Sequence, residues 1–224
     1  MSNLLKKALI PRTVVALSEL RWPGRLRAQV RRALGGRGRI ELYFAFDDPY
    51  SAIALPPLLA ITQRHEVELV LYPLVERGIE GDPALSQRRQ QAIVDSSRLA
   101  RRQGLTLGRR NVLDPAAPAF LVAWLESARG SEGINSFAAA ALQQLWFGTT
   151  GAVNKEDYAA LFERHLGRKP PTDLAINQHA ARDNLQRLQR KGHWESPAAW
   201  VDGEWFFAHE RFEQIEARLN YLGW

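Results

Sequence analysis

Apolar and polar positions along the chain change their period twice. Arg39-Ile40-Glu41-Leu42-Tyr43-Phe44-Ala45-Phe46 is rich in β-branched and aromatic residues and becomes continuously apolar toward its end, which predicts a buried strand. Asp47-Asp48-Pro49-Tyr50-Ser51 then predicts a helix start: Asp48 suits the N-cap, and Pro49 suits the first helical position, where its missing N–H costs nothing. The helix continues through Ile53, Leu58, Leu59 and Ile61, with Pro56-Pro57 expected to kink or break it. Val67-Glu68-Leu69-Val70-Leu71-Tyr72 predicts a second strand that ends at Pro73, and a right-handed βαβ unit is the economical connection between the two.

From Pro83 to about Lys191 the period becomes helical. Phe120, Trp124 and Ala128 recur four apart, as do Phe137, Ala141 and Leu145, Ala138, Leu142 and Trp146, and Tyr158, Phe162 and Leu166. Stripes of this kind are core positions. Strand character returns at Ala198-Ala199-Trp200-Val201 and Glu204-Trp205-Phe206-Phe207, and Asp202-Gly203 between them predicts a hairpin turn. A last helix carries Phe212, Ile215, Leu219 and Leu222 on one face. The predicted order is βαβ, a helical insertion, then ββα.

Composition narrows the chemistry. The 224 residues are 46% hydrophobic and 24% charged, the balance of a globular domain carrying an insertion. There is no cysteine, so the chain performs no thiol or disulfide chemistry of its own and has no thiolate ligands for a metal. His65, His165, His179, His193 and His209 show no ligand spacing, and no metal is expected.

The net charge of +6 is unevenly spread. Residues 1–39 hold ten basic residues against Glu19, or +9, and the rest of the chain carries 20 basic against 23 acidic residues, or −3. The apolar stretches of this arm are too short and too interrupted by charge for a signal-peptide core or a membrane span, so a cytoplasmic protein is expected. Within the arm Leu26, Val30 and Leu34 lie four apart among arginines, predicting an amphipathic helix, and Gly35-Gly36-Arg37-Gly38 reads as a hinge. The favoured expectation is that the apolar stripe packs on the body or on a second subunit while the arginines face water. An anionic membrane surface or a nucleic acid, contacted through residues 1–38, is the alternative.

The order of elements is that of an α/β thioredoxin-like fold with a helical insertion. Phe46-Asp47-Asp48-Pro49-Tyr50-Ser51 resembles the x-S-P-Y-S turn of 2-hydroxychromene-2-carboxylate isomerases and kappa-class glutathione transferases, relatives of DsbA-type proteins that carry a C-P-x-C pair at the same turn. Gly192-His193-Trp194-Glu195-Ser196-Pro197-Ala198-Ala199-Trp200-Val201-Asp202-Gly203-Glu204 resembles that family's G-V-F-G-V-P-T-F-V-V-D-G-E segment. Phe207-Ala208-His209-Glu210-Arg211-Phe212 is similar to its F-G-Q-D-R-L, and Asp95-Ser96-Ser97-Arg98-Leu99-Ala100 to its D-x-x-R-x-A. The resemblance spans residues 39–222. It divides the chain into a basic extension (1–38), a thioredoxin-like domain (39–82 and 192–224) and a helical insertion (83–191).

By that resemblance the protein is a glutathione-dependent isomerase or transferase acting on a small aromatic or electrophilic substrate. Pro197 is expected to be cis, the backbone of Ser196 to pair with the cysteinyl backbone of glutathione, and Glu210 to receive its α-amino group. A homodimer accords with the family. Position 48 holds a serine near the glutathione sulfur in the family, whereas here it is Asp48, an acceptor that the helix N-terminus should keep ionised and that would repel a thiolate. Tyr50 and Ser51 can then take over the thiolate, Asp48 can act as a general base, or Asp48 is simply a cap in a catalytically inactive binding module. Asp47 is expected to be a solvated acid or a capping residue, and Trp194, Trp200 and Trp205 either wall an aromatic pocket or cover the sheet.

Overall fold

Strand β1 (Arg39–Phe44) lies inside a four-stranded sheet, with Ile40, Leu42 and Phe44 on a wholly apolar face and Glu41 and Tyr43 buried on the other. Its neighbours are β2 (Glu68–Pro73), parallel to it, and β3 (Ala198–Val201), antiparallel, and β4 (Glu204–Phe207) pairs with β3 to give the order β2-β1-β3-β4. The computed structural model describes residues 22–79, 81–148 and 151–224. Helix α2 (Pro49–Arg64) crosses from β1 to β2. Helices α3 (Leu85–Arg102), α4 (Ala119–Ser127), α5 (Ile134–Phe147), α6 (Lys155–Leu166) and α7 (Ala175–Arg190) lie between β2 and β3, and α8 (Phe212–Leu222) follows the hairpin.

One face of β1 presents Ile40, Leu42 and Phe44 to the main core, which continues into the insertion through Trp124, Phe137, Trp146 and Phe162. The other face presents Tyr43 and Ala45 to a smaller cluster with Tyr72, Leu74 and Leu188 of α7. Within the insertion Phe120, Trp124, Tyr158, Phe162 and Phe137 meet edge to face at 4.8–5.8 Å, each ring burial worth about 1.5–3 kcal/mol. The Nε1–H of the fully buried Trp146 donates to the carbonyl of Phe46 at 2.9 Å. The insertion thereby holds the turn that leads from β1 into α2.

Two sequence expectations change. Helix α2 runs unbroken through Pro56 and Pro57. Pro56 is exposed and Pro57 half-buried, so both rings sit toward the outer side of the helix while Ile53, Ala54, Leu55, Leu58 and Ile61 remain packed.

The second change concerns α1 (Trp22–Ala33), whose apolar stripe does not pack on the body. Gly24 and Ala28 are buried, and Arg31 donates twice to Asp202 at 2.9 and 3.1 Å. Arg32 donates to the carbonyl of Gly223 and lies over the Trp224 ring at 4.5 Å. A Cβ at Gly24 would sit 2.5 Å from the Arg218 guanidinium and 2.9 Å from the carbonyl of Asp202, so only glycine permits this approach. Leu26, Val30 and Leu34 point away from the body, at 53%, 51% and 82% exposure. Arginine, not leucine, anchors the arm, because acidic and carbonyl acceptors face it. Residues 1–21 of the arm lie outside the described residues. Among the described residues no helix is long and apolar enough to cross a membrane.

Candidate functional site

The first turn of α2 is closed on itself. Asp48 caps the helix, its Oδ1 accepting from the Tyr50 N–H at 3.1 Å. Its Oδ2 accepts from the Ser51 hydroxyl at 3.4 Å and from the Ser196 hydroxyl at 3.2 Å. Ser51 Oγ also accepts the Ala45 N–H at 3.2 Å. Asp48 and Ser51 are fully buried, so neither touches solvent. Burial drives the Asp48 pKa up to about 6; Arg77, 3.9 Å away, opposes this, and neighbouring Asp47 adds to it. The loss of water thus raises the proton affinity of Asp48 despite its place at the helix N-terminus, although a carboxyl with a pKa of about 6 is still mainly ionised at neutral pH. Asp47 is likewise buried, its Oδ2 accepting from Arg77 at 3.3 Å, and is therefore not a solvated acid.

Opposite this turn runs the loop that enters β3. The Ser196–Pro197 peptide bond is cis. The Pro197 carbonyl accepts from the Ala208 N–H at 2.9 Å, and the Trp194 carbonyl from the Gly78 N–H at 3.0 Å. The Ser196 N–H donates to the Oε1 of Glu195 at 3.1 Å. Trp205 packs against Trp200 at 4.9 Å, His193 at 4.7 Å and Tyr43 at 5.5 Å. These aromatic rings cover the outer sheet face.

A cleft of about 380 Å³ opens between the loop, the start of α2 and α3. Tyr50, Ser196, Arg77, Arg88, Arg89, Glu195, Phe207, His209 and Glu210 are among the residues that line it. The Tyr50 hydroxyl donates to Asp95 at 2.9 Å, and its ring lies 4.2 Å from that of His209. Burial holds the His209 pKa below the ordinary imidazole value, and its Nδ1 is buried with no partner among the described residues. Arg88 pairs with Asp82, and its Nη1 stands 3.9 Å from Glu195. The Nε of Arg89 is also buried without a partner among the described residues. Glu210 is exposed at the rim.

Of the residues singled out in the sequence, Tyr50, Ser196 and Glu210 line the cleft, whereas Asp48, Ser51 and Pro197 are buried and do not line it. None of the three tryptophans lines it either. Sequence reading assigned no role to Arg77, Arg88, Arg89, Asp95 or His209. Asp95 and His209 stood inside quoted motifs, a signal that was available; two arginines on a helix carry none.

No family of proteins and no curated protein matches the sequence. Solved structures do. A 2-hydroxychromene-2-carboxylate isomerase superposes with a TM-score of 0.61 at 16% identity, covering 82% of this chain and 95% of that one. A probable DsbA oxidoreductase from Streptomyces coelicolor gives 0.63 at 15% identity, covering 83% and 89%. The chain has a DsbA-like thioredoxin fold. The cytosolic disulfide reductase DsbM from Pseudomonas aeruginosa is similar over 81% of this chain and 97% of its own, at 15% identity and a TM-score of 0.53. Identities this low establish the fold and leave function to the site. In this DsbA-like chain Asp48 and Ser51 stand at the two ends of the turn that resembles C-P-x-C, so no thiol pair is present there.

Proposed function

We propose that the cleft binds glutathione and that the protein is a cytoplasmic glutathione-dependent isomerase or transferase for a small aromatic or electrophilic substrate. One observation carries this reading: Arg88, Arg89 and Glu210 line one cleft together with Tyr50 of the first turn of α2. Glutathione carries two carboxylates and one ammonium group, and this arrangement complements all three. Guanidinium groups pair with carboxylates in charge-assisted hydrogen bonds, and Glu210 receives the ammonium. Alignment of the cysteinyl backbone on Ser196 requires Glu195 to leave the Ser196 N–H it now accepts.

The thiol then faces Tyr50 and His209. A neutral imidazole accepts its proton, and the positive end of α2 favours the resulting thiolate. In this reading Asp48 positions Ser196 and caps the helix without touching substrate. The sealed state of Asp48 also supports the second reading, a catalytically inactive module that binds a ligand without turning it over.

Calorimetric titration with glutathione tests the enzyme reading. Binding is expected at submillimolar concentration, and Glu210→Ala is expected to weaken it about tenfold, equivalent to about 1.4 kcal/mol. No heat at millimolar glutathione sinks the enzyme reading and leaves the inactive binding module. If binding is present, loss of free thiol with an aryl halide distinguishes enzyme from module. His209→Asn should then leave binding intact and slow conjugation about 100-fold at neutral pH.

A further inference from the structure

The outward face of α1 is the feature that the cleft does not explain. Single exposed aliphatic side chains are ordinary on a protein surface, but Leu26 and Val30 on α1 and Leu34 in the turn that ends it recur four apart, each at least half exposed. We propose that this row is a membrane-surface contact, seated at the headgroup and acyl boundary of an anionic bilayer.

Three observations lead to that occupant. The helix spends its polar contacts on the protein: Arg31 is clamped to Asp202 and Arg32 to the carbonyl of Gly223, so the aliphatic side is left for a partner. Arg27 and Arg37 flank the row in sequence and are exposed, with the Arg27 guanidinium close to Gly203 of the hairpin turn. Between Trp22 and Arg39 the sequence has six arginines and no acid, and residues 1–21 add Lys6, Lys7, Arg12 and Arg21 against Glu19. An aliphatic ridge inside a field of positive charge complements lipid acyl chains under anionic headgroups, each nearby cation contributing about 1 kcal/mol.

Nucleic acid fits less well, because the row facing outward is aliphatic and Arg31 and Arg32 are engaged with the body. A second copy of the chain fits less well too. Three side chains on one short helix fall short of the roughly 800 Å² per partner that stable association needs. The contact lies on the arm and not on the cleft, so its test is independent of glutathione.

Cosedimentation of the full chain with vesicles of phosphatidylcholine containing phosphatidylglycerol tests the proposal, with pure phosphatidylcholine vesicles and duplex DNA as controls. Binding to the anionic vesicles is expected, several-fold weaker on neutral ones. Leu26→Glu/Val30→Glu is expected to weaken it at least tenfold with the thermal unfolding midpoint unchanged, since both side chains face water. Arg27→Glu/Arg37→Glu should also weaken it, by less. Anionic-vesicle binding that survives Leu26→Glu/Val30→Glu overturns the proposal, as does retention on DNA without retention on vesicles. A dimer in analytical ultracentrifugation that the same double variant dissolves would overturn it as well.

Discussion

Glu41 and Asp48 stand at opposite ends of one structural problem. Both carboxylates are almost wholly removed from water beside β1, yet their proton affinities move in opposite directions. For each, burial is the largest influence and raises the pKa. Glu41 then meets two cations of its own: Lys191 reaches Oε2, Arg187 donates to Oε1 at 3.1 Å, and the Tyr43 hydroxyl adds a hydrogen bond at 3.0 Å. Together they outweigh burial and hold Glu41 below its ordinary value. Asp48 meets one cation, Arg77, which stands closer to Asp47 than to it. Burial prevails there, and the pKa reaches about 6. Depth alone therefore does not set the charge state of a buried acid; the number of cations, and whether they are shared, does. The consequence is a division of labour: Glu41 fastens α7 to the sheet, while Asp48 is poised to change charge under the cleft.

The largest effect is expected from taking away the shared cation. Arg77→Ala leaves Asp47 and Asp48 buried side by side with no counter-charge, and removing one partner from a buried ionic group costs about 3–5 kcal/mol. Urea denaturation at pH 7.5 should show a loss of that size. At pH 5 the loss should shrink, because Asp48 can take up a proton instead. A loss below about 1 kcal/mol, or one that does not change with pH, would mean that Arg77 does not govern the pair.

A smaller effect, with a diagnostic sign, is expected at Asp48 itself. Its folded pKa is raised from 3.8 to about 6, so between those values the native state binds more protons than the unfolded chain. Stability therefore falls as pH rises through this window, by up to about 3 kcal/mol in all. Asp48→Asn keeps an oxygen for the Tyr50 N–H and removes the titration. The stability of the variant relative to the wild type should thus climb between pH 4 and pH 7 and then level off. A difference that stays flat across this range would show that Asp48 is ionised throughout.

Much of the fold could be read from local chemistry, and the site could be read only in part, for the same reason. Asp48-Pro49 marks a helix start and Asp202-Gly203 a hairpin because caps and tight turns are decided by adjacent residues. The aromatic stripes of the insertion follow from helical period alone. What escaped depends on partners far away in the chain. That Asp48 is sealed rests on Ser196, and its raised pKa on how Arg77 is divided between two acids. Arg88 and Arg89 matter because α3 lies along the cleft, which their own neighbours in sequence do not reveal. The α1 helix is the clearest case: periodicity finds the row of Leu26, Val30 and Leu34, but Asp202 and the carbonyl of Gly223 decide that the arginine side is the one that docks. Pro56-Pro57 erred in the other direction, because a local rule was overridden by the packing of the buried side of α2.

The finest test of the comparison returns to Glu41 and removes only one of its two cations. Lys191→Met keeps an aliphatic side chain and deletes the ammonium group, which reaches Glu41 and lies 4.9 Å from the centre of the Trp200 ring. Because Arg187 stays in place, Glu41 remains paired, and the expected loss is about 1 kcal/mol at pH 7, the net worth of a partly exposed charged hydrogen bond. The sign with pH is opposite to that at Asp48. Glu41 has a lowered folded pKa, so its contribution is present above the ordinary carboxylate value and disappears as pH falls through the folded one. The gap between wild type and Lys191→Met should therefore close in acid, whereas the Arg77→Ala gap also closes but begins several-fold wider. Equal losses for the two variants at pH 7 would mean that having a second cation gives Glu41 no protection, and the contrast between the two buried acids would have to be sought in their hydrogen bonds instead.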